Sequence, residues 1–345
     1  MTRNPQFVRD HIGIEYGAGG GAMRALIEQI FIGGMGKVED GVGLAAMDDG
    51  AALRIGDRWL VITTDSHVIQ PIRFPGGDIG RLSVAGTVND LAMMGATEPL
   101  GLTCAAIIEE GFARADLEAV WQSIRRACEE AGTTVVTGDT KVMGRGELDG
   151  LVINTAGIGL TDRIITDKGL RPGDRLLVTG TMGDHGLAIM ATRNELSIDT
   201  ELKSDVAPIN QLVRLGLAAG GNDVVALKDP TRGGLSSTLH EMADKSGVGI
   251  VIDEPSVPIS NEARAIGELL GIDPLLVANE GKAVFGVRAS AADAVLVALR
   301  EHPLGRRAAI IGRCVDERPG QVVLDTGLGR RLLAEPAGKL LPRIC

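Results

Sequence analysis

Apolar positions in the first part of the chain follow two periods. Between residues 22 and 32 they recur at helical spacing, which puts Met23, Leu26, Ile27, Ile30 and Phe31 on one face of a helix behind the glycine-rich stretch Gly17 to Gly21. The runs AALRI and RWLVIT flank Gly56-Asp57 and read as a β-hairpin. Its second strand continues into Thr63-Thr64-Asp65-Ser66-His67, setting hydroxyl and acidic groups at a strand end. Residues 79–95 are again helical, and a helix over 114–131 carries Leu117, Val120, Trp121, Ile124 and Cys128 on its expected buried stripe. TTVVTG and LVINTAGIG then read as strands.

This order lacks the strict alternation of a doubly wound sheet and predicts an α+β domain. The polar, proline-containing DKGLRPGD, within residues 165–174, marks a domain boundary. Beyond it the vocabulary repeats, with strands at RLLVTG, VVAL, GIVI, AVFGV, AAIIG and QVVL and helices near 184–194, 206–219, 233–245, 261–270 and 291–300. The expected organisation is an arm and helix over 1–36, an α+β domain over 37–164, a second over 165–335 and a flexible tail over 336–345. Two prolines in PAGKLLPRIC rule out a continuing helix or a central strand there.

A chain of 345 residues exceeds the roughly 100–200 residues of one typical core, in keeping with two domains. Aromatic residues are only 2% of it, so both interiors must be aliphatic, and base-stacking surfaces are disfavoured. The formal net charge of −10, with no run of Lys or Arg, argues against nucleic acid and anionic membranes as partners. No stretch reaches the ~20 apolar residues of a membrane span, and the N-terminus has no signal core. Cys104, Cys128, Cys314 and Cys345 lack C-x-x-C spacing, so the chain reads as cytoplasmic and reduced. The first three fit apolar patterns and are expected as small core residues.

Familiar phosphate and metal motifs are absent. Lys37 precedes Val38 and Lys282 precedes Ala283, which excludes a Walker-type loop; the glycines at 17–21 follow no strand; HEMAD at 240–244 lacks a second His. What remains is a set of acids in glycine-rich or strand-end contexts: Asp48-Asp49, Asp65, Asn89-Asp90, Asp139 and Asp229. Singly each has a plain reading as a turn or cap, favoured for Asp48 and open for Asp229, but together they suit Mg²⁺ held jointly with substrate phosphates. Asp90 is the most telling, because an unpaired ionised group in an apolar helix is costly to bury.

Thr231-Arg232-Gly233-Gly234, ahead of a helix, offers backbone N–H groups and a guanidinium to an anion. Lys141, Glu280 and His185 could contact phosphate or move protons, against plain readings as an exposed lysine, a similar acid and a core histidine; His67 beside Asp65 is equally open. Cys345 is the sharpest feature. A thiol at the last position, with Arg343 favouring and the terminal carboxylate opposing the thiolate, fits a carrier nucleophile better than a stray surface cysteine.

The string TTDSHVIQPIRFPGGDIGRLSVAGTVNDLAMMGA, with TGDTKV, RLLVTGTMGDHGLAIM, KDPTRGGL, NEGK and the ending PRIC, resembles the HypE family of hydrogenase maturation factors over nearly the whole chain. That family sits in the superfamily of aminoimidazole ribonucleotide synthetase, selenophosphate synthetase and thiamine monophosphate kinase; GDHG and the terminal PRIC point to the family, the Asp-rich segments only to the superfamily. The resemblance implies an ATP-dependent carbamoyl dehydratase, a homodimer built through an N-terminal β-barrel, with ATP and Mg²⁺ between the domains. It implies Asp49, Asp65, Asp90, Asp139 and Asp229 as metal and phosphate ligands, with Asn89, Thr140 and Arg232 at the nucleotide and Lys141, Glu280 or His185 handling charge and protons.

By the same resemblance, Cys345 would take a carbamoyl group from the carbamoyltransferase HypF, and the dehydrated thiocyanate would deliver cyanide to iron on a HypC–HypD complex. YGAGG at residues 16–20 replaces the family's usual HGSGG, which weakens the case for a catalytic arm. Two rivals are a small-molecule kinase or synthetase of the same superfamily, which leaves Cys345 without purpose, and an ATP-sensing scaffold that binds a partner without covalent change.

Overall fold

The computed structural model describes residues 8–17, 19–33, 35, 37–194 and 201–335; Cys345 and the rest of the expected tail lie outside them. Helix α1 (Gly20–Leu26) passes into a π-helical turn over Ile27–Phe31. The expected apolar face over 22–32 is not buried at its end: Ile30 and Phe31 are exposed, because the wider turn carries them out of the 3.6-residue register.

Six strands form the first sheet: β1 (Gly41–Val42), β2 (Ala51–Ile55), β3 (Arg58–His67), then, beyond the short ribbon β4 (Arg73–Phe74) and β5 (Gly77–Asp78), β6 (Pro99–Glu109), β7 (Val135–Met143) and β8 (Leu151–Thr161). Their order is β1-β2-β3-β8-β6-β7, with β7 on an edge and β6–β7 the only parallel pair. Gly56, with φ +59, makes the hairpin turn between β2 and β3, as its sequence suggests. Strand β6, which the hydrophobic pattern does not announce, carries the small residues Gly101, Thr103, Cys104, Ala105 and Ala106 in its middle and exists through its pairing on both sides.

Helix α2 (Ile79–Met93) starts on Asp78, whose side chain accepts the Gly80 and Arg81 N–H groups, and every residue in it except Arg81 and Asp90 is buried. Helix α3 (Arg114–Ala131) buries Val120, Ile124 and Cys128 as expected. Trp121 corrects the expected stripe. It is 45% exposed and lines, with Leu117, Val135 and Val136, an apolar cavity of about 560 Å³ where α3 and the β7 edge part.

The second sheet has seven strands in the order β10-β12-β9-β13-β11-β14-β15. In chain order its elements are β9 (Arg175–Val178), α4 (Asp184–Arg193), α5 (Asn210–Gly220), β10 (Val224–Lys228), α6 (Gly234–Ser246), β11 (Gly249–Asp253), α7 (Asn261–Leu270), β12 (Val284–Val287), α8 (Ala292–Glu301), β13 (Ala309–Val315), β14 (Val322–Asp325) and β15 (Arg330–Leu332). The helix expected from 206 begins at Asn210. Residues 201–209 instead form a largely buried strap whose backbone bonds to the first half: Ser204 N–H to the Pro75 carbonyl at 2.8 Å, Ile209 N–H to Asn89 Oδ1 at 2.8 Å and Arg81 Nε to the Val206 carbonyl at 2.8 Å. Pro208, which cannot supply a helical N–H, favours the same outcome.

The halves also share apolar interior: Ala92 and Met93 of α2 pack in one cluster with Ile165, Leu177, Ile209, Leu212 and Phe285. Cys104, Cys128 and Cys314 are buried free thiols. Among the described residues no helix is long and apolar enough to cross a membrane.

Candidate active site

Five segments deliver acids to one cavity of about 210 Å³: the turn before β2 (Asp48, Asp49), the end of β3 (Asp65), the last turn of α2 (Asp90), the segment after β10 (Asp229, with Arg232) and the segment ahead of β12 (Glu280). Four of the five sequence-proposed metal ligands are thus brought together. Thr63 Oγ1 lies 2.9 Å from both Asp90 Oδ2 and the Asp49 carbonyl, tying α2 to the turn. His67 Nε2 stands 3.0 Å from Asp65 Oδ2. This pair needs Gly86 on α2, since a Cβ there would fall 2.9 Å from both atoms.

Crowded carboxylates repel, and the site's electrostatics follow. Burial, then Asp229, Asp65 and Asp49, hold the Asp90 proton affinity well above the ordinary range; burial and Asp49 do the same for Asp229. Burial, with Asp65, Asp229 and Asp205, raises Glu280, against the pull of Arg232. Asp48 is pushed to about 7 by burial, Asp167 and Asp49. Asp65 goes the other way: burial would raise it, but His67, Arg232 and the Ser66 N–H prevail and hold it at about 2.

Behind this wall stands Lys228. Its Nζ is 2.8 Å from Asp49 Oδ1 and 3.3 Å from both Asp167 Oδ2 and Glu241 Oε2, while Lys245 Nζ reaches Asp167 Oδ2 at 2.6 Å. Sequence reasoning missed this network. Lys228 was visible beside Asp229 in KDPTRGGL, whereas Asp167, in the linker, carried no signal of its own.

Asp49 Oδ2 and Glu280 Oε1 are buried without a hydrogen-bond partner, and the remaining donors are hard oxygens, so the cavity fits a hard divalent cation. Among the described residues no three His, Cys, Asp or Glu side chains converge to form a preformed metal centre. An ion such as Mg²⁺ takes only a few carboxylates and completes its shell with phosphate oxygens and water.

A second polar cavity of about 190 Å³ shares Asp49, Asp229, Thr231 and Arg232 and lies under α1. Gly19 packs against Arg232 so closely that a Cβ would sit 3.0 Å from its carbonyl oxygen. Arg24 of α1 faces Asp244 at 3.3 Å, Glu241 at 3.7 Å and Glu335 at 4.0 Å, and Ser236 Oγ donates to the Ala334 carbonyl at 2.7 Å. The last described residues therefore lie against the first turn of α6.

Other sequence-proposed residues lie elsewhere. Asp139, Thr140 and Lys141 are exposed on β7, away from this cavity of the same chain. Asn89 does not line the cavity; its amide is spent on backbone groups at 207, 209 and 280. His185 is fully buried, its Nδ1 2.7 Å from Ser204 Oγ and its ring edge-on to Phe74, apart from the acids.

Residues 47–161 match the N-terminal domain of AIR synthase related proteins and residues 171–325 the C-terminal domain. A carbamoyl dehydratase HypE of Rhizobium leguminosarum bv. viciae is 47% identical over 97% of this chain and 95% of its own length. That of Escherichia coli is 42% identical over 97% and 100%. The chain belongs to the HypE family. A putative hydrogenase expression/formation protein of Methanocaldococcus jannaschii is similar throughout as well, 48% identical over 96% of this chain and 98% of its own. Among solved structures, HypE in a HypE–HypF complex matches with a TM-score of 0.84 and 42% identity, covering 90% of this chain and 100% of that one. HypE in complex with ATP matches at 0.80 and 43%, covering 96% and 99%. A thiamine monophosphate kinase structure carrying AMPPCP and TMP, 22% identical with a TM-score of 0.68 over 88% and 93%, shares the fold.

Proposed function

We propose that this HypE-family chain is an ATP-dependent carbamoyl dehydratase of hydrogenase maturation that converts an S-carbamoyl group on Cys345 to a thiocyanate, the source of cyanide ligands for [NiFe]-hydrogenase iron. The observation that carries this reading is the single cavity joining Asp49, Asp65, Asp90 and Asp229 to Arg232 and Glu280. Ten residues follow Glu335, enough to span at most roughly 33–36 Å when extended.

The amide oxygen of a carbamoyl group leaves poorly. Transfer of the ATP γ-phosphoryl group to that oxygen, with loss of one N–H proton, makes it a phosphate ester; loss of the second N–H proton and departure of phosphate then gives S–C≡N. The balance is thiocarbamate and ATP to thiocyanate, ADP and phosphate. Glu280, whose Oε1 is buried at the cavity without a hydrogen-bond partner, would take an N–H proton, and Arg232 offsets charge on the phosphates. Asp49, Asp65, Asp90 and Asp229 would hold Mg²⁺, which when bound screens the nucleotide's phosphate charge.

The HypF complex of a relative supports a carbamoyltransferase as donor, and the ATP complex of another supports ATP as the nucleotide. Iron on a HypC–HypD complex is the proposed acceptor and the cytoplasm the proposed compartment. The exposed edge strand β7, with Val136 and Val142 outward, supports a homodimer joined through the first sheet, an arrangement that would also find a place for Asp139, Thr140 and Lys141.

Intact-mass measurement tests the reading. After incubation with the carbamoyltransferase, carbamoyl phosphate and ATP, the chain should show a carbamoyl adduct and then the loss of one water, and Cys345→Ala should show neither. ATP turnover on a soluble acceptor by Cys345→Ala would favour the kinase alternative, and partner binding without any adduct would favour the scaffold.

A further inference from the structure

Asn89 is 1% exposed and sits on α2 directly before Asp90. Its Nδ2 donates to the carbonyls of Glu280 and Ala207, each at 3.1 Å, and its Oδ1 accepts the Ile209 N–H at 2.8 Å. Two acceptors and one donor fix the amide's orientation and use both its N–H bonds, leaving none for a nucleotide.

Glu280 is gripped from its other side too. Its N–H donates to Asp205 Oδ1 at 2.9 Å, and Asp205 Oδ2 pairs with Lys282 Nζ at 3.1 Å. The next residue, Gly281, touches the strap directly: a Cβ there would fall 2.0 Å from the Asp205 carbonyl oxygen. Both peptide groups flanking the Glu280 Cα are therefore held, one from α2 and one from the strap, while its Oε1 is buried without a partner. Successive helical residues point about 100° apart, so Asn89 reaches across the domain junction as Asp90 faces the cavity.

We propose that Asn89 is a positioning residue: it sets Glu280 against the acid cluster by clamping the Glu280 carbonyl, with Asp205 as the opposing jaw on the N–H. This deepens the proposed function and rests on it for the part Glu280 plays. Covalent continuity between Asn89 and Asp90 then fixes the spacing of the proton acceptor and the phosphate-binding acids, although they belong to different halves of the chain.

The test is a mutant cycle in the full-length protein, carbamoylated by the carbamoyltransferase and followed through a single turnover at saturating ATP. Asn89→Ala should slow dehydration about 10- to 100-fold, as misplacement of a reacting group does. Its Kd for ATP should stay within about threefold, because uniform binding is untouched. In a Glu280→Gln background the same change should cost less than about twofold, since both act through one group. Asp205→Ala should repeat the Asn89→Ala pattern and Asp205→Asn, which keeps an acceptor for the Glu280 N–H, should restore most of the rate.

A full loss repeated in the Glu280→Gln background, no loss at all, or a parallel fall in ATP affinity overturns the proposal. If Asn89→Ala does not fold, Asp205→Ala in the same cycle decides. Should the wild-type chain never lose water from an adduct, the failure belongs to the dehydratase reading. The clamp is then judged by hydrogen exchange alone: backbone amides at 279–283 must exchange faster in Asn89→Ala, and unchanged protection refutes it.

Discussion

Lys228 explains why so many acids can share one wall: its ammonium answers Asp49, Asp167 and Glu241 at once, with Lys245 behind it. At Asp48 its pull, with that of Lys245, is outweighed by burial, Asp167 and Asp49, so that this carboxyl keeps its proton up to about pH 7 in the fold while an unfolded aspartate releases it near 3.8. Between those values the folded state binds more protons, so this contribution to stability is complete below about pH 3.8 and lost as pH rises through about 7. Asp65 works in reverse, stabilising above the ordinary aspartate range and losing its effect as pH falls through about 2. Thermal unfolding without nucleotide or divalent cation should therefore show a lower Tm at pH 8 than at pH 5.5, and Asp48→Asn should reduce that difference; an unchanged slope would show that Asp48 is not its source. The acids themselves were legible in sequence, because Asp in an apolar helix or at a strand end needs a reason. Their partners were not. Asn89 reads like a ligand beside Asp90, and only the fold shows its amide consumed by backbone groups far away in the chain.

At the level of elements, local periodicity identified most helices and the β2–β3 hairpin, since those depend on neighbours in sequence. It missed β6, which becomes a strand by pairing with β7 and β8, and it extended α5 back into the strap, where bonds to Pro75, Arg81 and Asn89 override helix formation. The strap's fit is exacting at Gly76, which holds φ +97 and would place a Cβ 2.6 Å from the Ser204 carbonyl. Gly76→Ala should lower stability by about 1–3 kcal/mol, measured by denaturant unfolding, through the strained backbone and that clash. Strand β7 offers a different check. If it is the dimer edge, Val142→Lys should move the protein from dimer to monomer in light scattering while leaving its circular dichroism intact; a dimer that persists would place the interface elsewhere.

Across the whole molecule, the two halves that sequence divides near residues 165–174 are not independent bodies. Ile189, Val206 and Ala278 pack into the core of the first half, and Ala92 and Met93 into that of the second. Calorimetry of the full chain should accordingly give one cooperative transition, and residues 37–164 alone should not fold; two separated transitions would contradict this. Contacts of this kind leave no trace in a sequence pattern, because an apolar residue at an interface looks like any other core residue.

The buried strap also bears on how material moves through the enzyme. Many nucleotide enzymes admit and release their reactants by swinging one lobe away from the other. Here such a swing would strip residues 201–209 from their bed and expose apolar interior common to both lobes, a penalty that no routine turnover could repeat. On the proposed function the two lobes then act as a fixed workbench, and reactants must reach the cavity without their parting.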